Sequence, residues 1–157
     1  MDPISQASFG ASLSQSFAKD GKKQVSALVI GAFAGMAPDL DIFIQSSVDP
    51  ILFLEFHRQF THSLVFIPFG ALICTLLLYP LLHSRWLKGR WPNAALSFAQ
   101  IYLFSFLGYA THGLLDACTS YGTQLFWPFS NQRFAWNIVS IIYPLYTLPV
   151  IFIISLA

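Results

Sequence analysis

The chain has 157 residues, of which 55% are hydrophobic and only 10% are charged. A soluble domain usually carries about 25% charged residues, so this composition excludes an ordinary soluble protein and indicates an integral membrane protein. The net charge of +1 argues against nucleic acid as a partner, because neutralising phosphates requires a concentrated basic surface. The two cysteines form neither a CxxC pair nor a disulfide framework.

Five segments follow one another along the chain. Residues 9–17 predict a short N-terminal helix, either amphipathic and lying in the membrane interface or re-entrant. Four apolar segments come next, at residues 25–45, 64–83, 93–115 and 134–157. A membrane-spanning helix needs roughly 20 apolar residues, and each of the four has about that length. The sequence therefore predicts an all-α, polytopic membrane protein with about four transmembrane helices, folded as a single membrane-embedded domain over residues 1–157.

Basic residues predict which loops face the cytoplasm. They are concentrated before the second segment and between the third and fourth, at Lys19, Lys22, Lys23, Arg85, Lys88 and Arg90. The positive-inside rule places both clusters in the cytoplasm, so the loops at residues 46–62 and 119–133 face outwards. Tyr121 then belongs to an outer aromatic belt.

Ionisable residues collect at the outward-facing ends of these segments. The group comprises Asp39, Asp41, His57, Arg58, His62, His112 and Asp116. Ionisable residues within a membrane are costly and therefore usually functional. Because three separate stretches of chain bring them to the same face, we expect them to converge on one site.

The spacing of these residues favours a metal site. His112 and Asp116 are four residues apart, so a helix directs both side chains to one side. Asp39 and Asp41 share a face only if the backbone is extended or broken, which Pro38 permits. Imidazole and carboxylate ligands together suit Zn²⁺, Mn²⁺ or Fe²⁺, as one ion or two.

Neighbouring residues have supporting roles in this interpretation. Arg58 is suited to hold an anionic group such as phosphate, and Thr61 and Ser63 are suited to hydrogen-bond the ligands. Simpler readings exist for some of them. Arg58 also fits an interfacial charge, and Cys118 fits a small buried hydrophobe better than a ligand. Gly31 and Gly35 in "GAFAG" indicate close helix packing rather than ligand binding.

The ordered motifs "GMAPDLD", "FHRQFTHS" and "YATHGLLDACTSYGTQLFWPFS", with "MDPISQ" before them and "PLYTLP" after, resemble the YdjM family of bacterial inner-membrane proteins. The resemblance runs from Met1 to about Pro149. That family is described as membrane-bound metal-dependent hydrolases, some under LexA control. The resemblance implies metal ligands at Asp39, Asp41, His57, His62, His112 and Asp116.

The chain departs from the family pattern at three points. Members often carry histidine where this chain has Gln6, and usually carry aspartate where it has Tyr143. Members also commonly continue past the point at which this chain ends, which suggests a C-terminal truncation. Tyrosine replaces carboxylate poorly beside a metal because its hydroxyl stays protonated at neutral pH. We therefore expect weak metal binding and weak activity, and Tyr143→Asp to strengthen metal binding.

The residues and the resemblance together predict a membrane-bound hydrolase of an ester or phosphoester, such as a lipid or envelope compound. The expected cofactor is a divalent cation, zinc first, with manganese or magnesium as alternatives. Asp39, Arg58 and Asp116 are the predicted catalytic residues. The expected location is the bacterial inner membrane, multi-pass, with the site at the periplasmic face.

Other functions fit the same residues. The main alternative is a non-catalytic membrane protein that binds metal or acts as a scaffold, or a degenerate, truncated hydrolase. A transporter fits less well, because transport sites lie near the bilayer midplane. The expected partners are membrane lipid and a small-molecule or lipid substrate, not nucleic acid, and the oligomeric state is left open.

The loop charges give a direct test of topology. A reporter fused after Gly89 should report a cytoplasmic location, and one fused after Gly122 an extracytoplasmic location, because the basic residues surround only the first. Paired alkaline phosphatase and green fluorescent protein fusions measure both positions. The opposite pair of signals would place the ionisable group on the cytoplasmic side.

Overall fold

The computed structural model of the protein describes residues 1–43, 57–85, 87, 96–140 and 144–156. Its α-helices are α1 (Pro3–Ser16), α2 (Gly21–Met36), α3 (Ile67–Leu82), α4 (Phe98–Ala117) and α5 (Pro144–Leu156), with 3₁₀ helices at Ala37–Phe43 and Phe60–His62. Within these ranges the β pairing is limited to one isolated bridge between Thr123 and Phe134. The prediction of an all-α fold is thus confirmed for the described part of the chain, and Tyr143 lies outside it.

Helices α2 and α4 run side by side in the same direction. Near their starts, Lys23 Nζ donates to Gln100 Oε1 at 3.5 Å. Near their ends, His112 Nδ1 lies 2.5 Å from the carbonyl oxygen of Gly35. Their C-terminal ends therefore meet at one end of the bundle, which we call the site end.

Helices α1 and α3 run opposite to that pair. A Cβ on Gly35 would lie 2.7 Å from the carbonyl oxygen of Gln6, so the start of α1 lies at the site end. The rings of Tyr79 and Phe98 are 5.6 Å apart, so the end of α3 lies beside the start of α4, away from the site end. The main hydrophobic core is also away from the site end and consists of Ala18, Ala27, Ile30, Leu82, Leu96, Ile101 and Phe104.

The N-terminal helix differs from its prediction. It begins at Pro3, six residues before the predicted start, and it packs lengthwise against α2 and α4. Its buried face is small and partly polar instead of apolar: Ser5, Gln6, Ser8, Gly10, Ala11 and Ser14. Small residues allow helix backbones to approach closely, which explains the packing without an amphipathic pattern.

The break predicted in the second segment lies at its proline. Helix α2 begins at Gly21, where Asp20 caps it by accepting from the backbone N–H of Lys22. It ends at Met36, and the chain continues as the 3₁₀ helix Ala37–Phe43, which contains Pro38. Proline cannot donate the backbone hydrogen bond that would continue an α-helix. This change of helix type sets the positions of the two aspartates that follow.

The last predicted segment is only partly helical. Residues 134–140 are not helical, and α5 begins at Pro144, ten residues after the predicted start. The non-helical stretch donates backbone hydrogen bonds to the end of α4, from Trp136 to Ala117 and from Ile138 to Cys118. The last carbonyls of a helix lack partners within the helix, so this stretch satisfies them.

Four transmembrane helices are not confirmed. Within the described ranges, one helical stretch, Gly21–Phe43, is both long and apolar enough to cross a membrane. Helix α3 is apolar but has only 16 residues, and α4 has 20 residues but is less apolar. Buried polar residues that include Ser105, His112 and Asp116 lower the hydropathy of α4.

The meeting point of α1, α2 and α4 should tolerate no side chain. A Cβ on Gly31 would lie 2.2 Å from the carbonyl oxygen of Gly10, and one on Gly108 would lie 2.4 Å from that of Gly31. We expect Gly31→Ala to lower the unfolding free energy by about 1–3 kcal/mol, as overpacking does. Thermal unfolding in detergent measures this.

Gly21→Ala is the matched control for Gly31→Ala. Gly21 also lies in α2, but no atom of the described residues outside its own helix turn lies within 4 Å of a Cβ built there. Its melting temperature should equal or exceed that of the wild type, because alanine favours helix over glycine. Equal melting temperatures for the two variants would show that close backbone contact at Gly31 contributes nothing to stability.

Candidate metal centre

Four of the predicted ligands come together at the site end. Asp39, His62, His112 and Asp116 each offer one ligand atom, and these atoms all lie within 4.8 Å of one another. The two Nε2 atoms are 2.9 Å apart. His112 Nε2 lies 3.2 Å from Asp39 Oδ1, and His62 Nε2 lies 3.3 Å from Asp116 Oδ2. Ligands held at about 2.1 Å around a tetrahedral zinc are about 3.4 Å apart, so this four-residue cluster could hold a metal ion.

The orientation of His112 is fixed by the end of α2. Its Nδ1 lies 2.5 Å from the carbonyl oxygen of Gly35, and a carbonyl can only accept. Nδ1 therefore carries the hydrogen and donates it. In the neutral ring this leaves the lone pair of Nε2 directed at the other three ligands, the arrangement typical of metal-binding histidines.

A hydroxyl fixes the orientation of His62 in the same way. Thr61 Oγ1 donates to Asp41 Oδ2 at 2.8 Å, so its oxygen accepts from His62 Nδ1 at 2.9 Å. The Nε2 lone pair of His62 then faces that of His112. Two lone pairs 2.9 Å apart repel each other unless a cation or a proton lies between them.

Asp116 also has an oxygen that no hydrogen bond satisfies. Its side chain is fully buried, and Oδ1 accepts from Gln6 Nε2 at 3.1 Å and from the backbone nitrogen of Met1. Among the described residues Oδ2 has no hydrogen-bond partner, and Arg58 Nε lies 3.3 Å from it as an ion pair. A buried carboxylate oxygen is costly unless it is well paired, and a cation in the cluster would add to the pairing with Arg58. The donor set therefore fits a divalent metal ion.

Two of the predicted ligands lie beside the cluster instead of in it. His57 Nδ1 is 2.7 Å from Asp41 Oδ1. Asp41 Oδ2 accepts from the backbone N–H of Arg58 at 3.2 Å as well as from Thr61. Both oxygens of Asp41 are thus engaged in positioning neighbouring residues. Ser63, predicted to hydrogen-bond a ligand, instead donates to the carbonyl oxygen of Phe60.

Arg58 lies next to the cluster in an unusual conformation. Its φ is +63°, which is uncommon for a residue other than glycine. The conformation is held by its carbonyl, which accepts from Thr123 Oγ1 at 3.1 Å and from the Gln124 N–H at 3.2 Å. Its guanidinium lies 4.7 Å from the centre of the Tyr121 ring. The loop before residue 134 therefore holds Arg58 in place.

The guanidinium of Arg58 retains donors for an anion. Nε forms an ion pair with Asp116 Oδ2 at 3.3 Å, and within the described part of the chain Nη1 has no hydrogen-bond partner. Together Asp39, Asp41 and Asp116 bring three negative charges and Arg58 one positive charge. The N-terminal ammonium of Met1, which pairs with Asp116 Oδ1, adds a second positive charge. If both imidazoles are neutral, one net negative charge remains, which favours binding of a cation.

A cavity of about 390 Å³, which we call the access cavity, leads to the four-residue cluster and Arg58. Asp39, His57 and Arg58 line its polar part, and Met36, Leu40, Ile42 and Phe43 line its apolar part. Asp39 is the most accessible member of the cluster, with 26% of its side chain exposed, whereas Asp116 has none. A substrate would therefore reach the cluster from the side of Asp39.

Three contributors were not identified as site residues from the sequence. Gln6 was noted only as a departure from a family motif, Gly35 only as a packing residue and Tyr121 only as a belt aromatic. They contribute an amide donor, a carbonyl acceptor and a ring over which Arg58 lies. No local sequence pattern distinguishes these roles, because each depends on a contact with a distant part of the chain.

Comparison with known proteins gives a family. The sequence model of the YdjM inner membrane protein family matches residues 1–157. The chain is 30% identical over 115 residues to "Uncharacterized protein YfhP" of Bacillus subtilis (strain 168). It is also 30% identical over 118 residues to "Inner membrane protein YbcI" of Escherichia coli (strain K12).

Each alignment covers 73% of this chain, but only 32% of YfhP and 61% of YbcI, so the chain spans less than two thirds of either relative. No solved structure matches it. The family match extends over the whole chain and agrees with the resemblance carried by the motifs. This protein belongs to the YdjM inner membrane protein family.

Proposed function

We propose that this protein is a membrane-bound hydrolase of an ester or phosphoester that uses a divalent cation held by the four-residue cluster. One observation carries the proposal: two imidazole lone pairs and an unsatisfied, buried oxygen of Asp116 converge on one point. A purely structural cluster would be expected to pair these groups with hydrogen-bond donors.

The donor set favours zinc. Two imidazoles and two carboxylates match the ligands that zinc takes, whereas magnesium prefers oxygen ligands alone. Manganese and magnesium are the alternatives. When bound, a divalent cation polarises an ester or phosphoryl oxygen and lowers the pKa of a bound water.

The surrounding residues have separate roles in the proposed reaction. Nη1 of Arg58, which has no hydrogen-bond partner among the described residues, binds and orients the anionic group of the substrate. Asp39 lines the access cavity, and its Oδ1 faces the imidazoles. Its second oxygen can therefore act as general base and take a proton from water. Asp116 is fully buried, holds the cation and balances its charge.

The arrangement also supports a position in the membrane. The cluster lies at the site end, and Lys23 lies near the opposite end of the bundle. If Lys23 faces the cytoplasm, as the positive-inside rule predicts, the cluster faces the periplasm. We therefore propose a multi-pass inner-membrane protein whose site opens at the periplasmic face.

Metal content tests the ligand assignment. Asp116→Asn keeps the volume of the side chain but removes its charge, so we expect bound zinc to fall at least about tenfold. Even the loss of a group that only hydrogen-bonds a metal ligand typically lowers metal affinity 10–100-fold. Elemental analysis of detergent-purified protein measures this, and gel filtration checks that the variant is folded.

Asp20→Asn is the matched control for Asp116→Asn. Asp20 caps α2 far from the cluster, and asparagine caps a helix equally well, so bound zinc should be unchanged. Normal zinc binding by Asp116→Asn would remove Asp116 from the ligand set. Absence of zinc binding by the wild type, when zinc is titrated into the purified protein, would reject the metal-dependent function.

Two substrates test the hydrolase activity and the role of Arg58. The metal-loaded protein should hydrolyse p-nitrophenyl phosphate, and Arg58→Gln should lower kcat/KM by about 10- to 100-fold, as the loss of a charged hydrogen bond worth roughly 1.5–3 kcal/mol does. Hydrolysis of neutral p-nitrophenyl acetate should change little, because it has no anionic group for Arg58.

Arg133→Gln is the matched control for Arg58→Gln. Its guanidinium also lies over the Tyr121 ring, at 5.0 Å, but Arg133 does not line the access cavity. Equal losses in the two arginine variants would reject a direct role for Arg58. Bound metal with no hydrolysis of either substrate would favour the alternative, a non-catalytic metal-binding or scaffold protein.

A further inference from the structure

A second cavity lies beside the access cavity and follows α3. Its volume is about 260 Å³, and Asp41 and Thr61 lie at its site end. Its other walls are mainly apolar and include Phe66, Ile73, Cys74, Leu77 and Tyr109. We call this cavity the α3 groove.

The α3 groove and the access cavity are neighbours. Leu40 lines both of them, and it stands between Asp39, which lines the access cavity, and Asp41, which lines the groove. A molecule with its anionic end at Arg58 can therefore place an apolar part in the groove without leaving the protein surface. Together the two cavities therefore match a single amphiphilic ligand, with an anionic end and an apolar part.

The dimensions of the groove suit an acyl chain. Along α3, the wall from Phe66 to Leu77 covers about 16 Å at 1.5 Å per residue. This is about the depth of one leaflet, half of a hydrocarbon core roughly 30 Å thick. The groove opens sideways, because Leu40, Ile73 and Leu77 on its walls are 61%, 50% and 69% exposed. In an inner-membrane protein, the surroundings of such an apolar opening are lipid chains.

We propose that the α3 groove binds the acyl chain of a phosphorylated lipid whose phosphate lies at Arg58 and the four-residue cluster. The placement of the phosphate rests on the proposed function; the placement of the chain rests on the groove. A water-soluble phosphoester would leave the groove unused. A neutral lipid would leave Arg58 Nη1 without an acceptor.

The reaction at that position is the hydrolysis of the lipid phosphoester. The oxygen of water bonds to phosphorus, and the bond between phosphorus and the lipid oxygen breaks. The lipid oxygen leaves as an alcohol with one proton from the water, and the second proton is passed to solvent or kept by the phosphate. The reaction requires no oxidant or further co-reactant.

The two cysteines of the chain allow a binding test that needs no turnover. Cys74 lines the α3 groove, and Cys118 lines a separate cavity between α1 and α4. In nanodiscs of a phosphate-free glycolipid, dodecyl phosphate should slow the modification of Cys74 by N-ethylmaleimide about tenfold when it exceeds its Kd about tenfold. Mass spectrometry follows each cysteine separately, and the rate at Cys118 should not change.

Related probes and variants give the controls. Methyl phosphate and dodecanol should each protect Cys74 much less than dodecyl phosphate does, and Arg58→Gln should remove the advantage of the phosphate. Leu77→Trp should fill the groove and abolish the effect of dodecyl phosphate. Leu76→Trp is the matched control, because Leu76 is 57% exposed on the same helix but does not line the groove.

The outcomes separate this proposal from the hydrolase activity. Protection of Cys74 without hydrolysis of any phosphoester would support the groove and reject the proposed function. Hydrolysis of p-nitrophenyl phosphate without protection of Cys74 would keep the function and overturn the groove. Equal protection of Cys74 by dodecanol and dodecyl phosphate would also overturn the proposal. So would an effect of dodecyl phosphate in Leu77→Trp as large as in the wild type.

Discussion

The buried carboxylate of Asp116 is the constraint on which the site end of this protein depends. A charge removed from solvent is costly unless it is surrounded by partners, and these partners come from two distant parts of the chain and from the helix of Asp116 itself. Gln6 reaches it from α1, Arg58 and His62 from the stretch before α3, and His112 from the preceding turn of α4. The main hydrophobic core lies away from the site end, so polar contacts contribute more to holding this end together.

The sequence predicted what depends on local spacing. His112 and Asp116 share a helix face, and Pro38 interrupts a helix, whatever else surrounds them. Asp39 joins the four-residue cluster, whereas Asp41 positions neighbouring residues. This difference could not be predicted, because it depends on how the 3₁₀ helix directs each carboxylate. Residues 134–140 look like the start of an apolar helix, but their backbone N–H groups are used by the carbonyls at the end of α4. Amino-acid composition does not show that these carbonyls need hydrogen-bond donors from another part of the chain.

Arg58 shows how the loop that follows α4 takes part in the site. A non-glycine residue in the left-handed region costs of order 1–3 kcal/mol and persists only where its surroundings impose it. Here Asp41 accepts its N–H, Thr123 and Gln124 donate to its carbonyl, and its guanidinium lies over Tyr121. The aromatic and polar residues of this loop therefore act as supports for an anion-binding group as well as surface residues.

The four-residue cluster joins the end of α2, the second 3₁₀ helix and the end of α4, and this connection has a thermodynamic consequence. A cation that binds only the folded state adds to its stability by linkage, about 2.7 kcal/mol at 100 times Kd. Opening of the site end would then release the cation, so local unfolding and ion loss become one event. If the proposed cation binds at the periplasmic face, its concentration there would set how long the folded protein resists proteases.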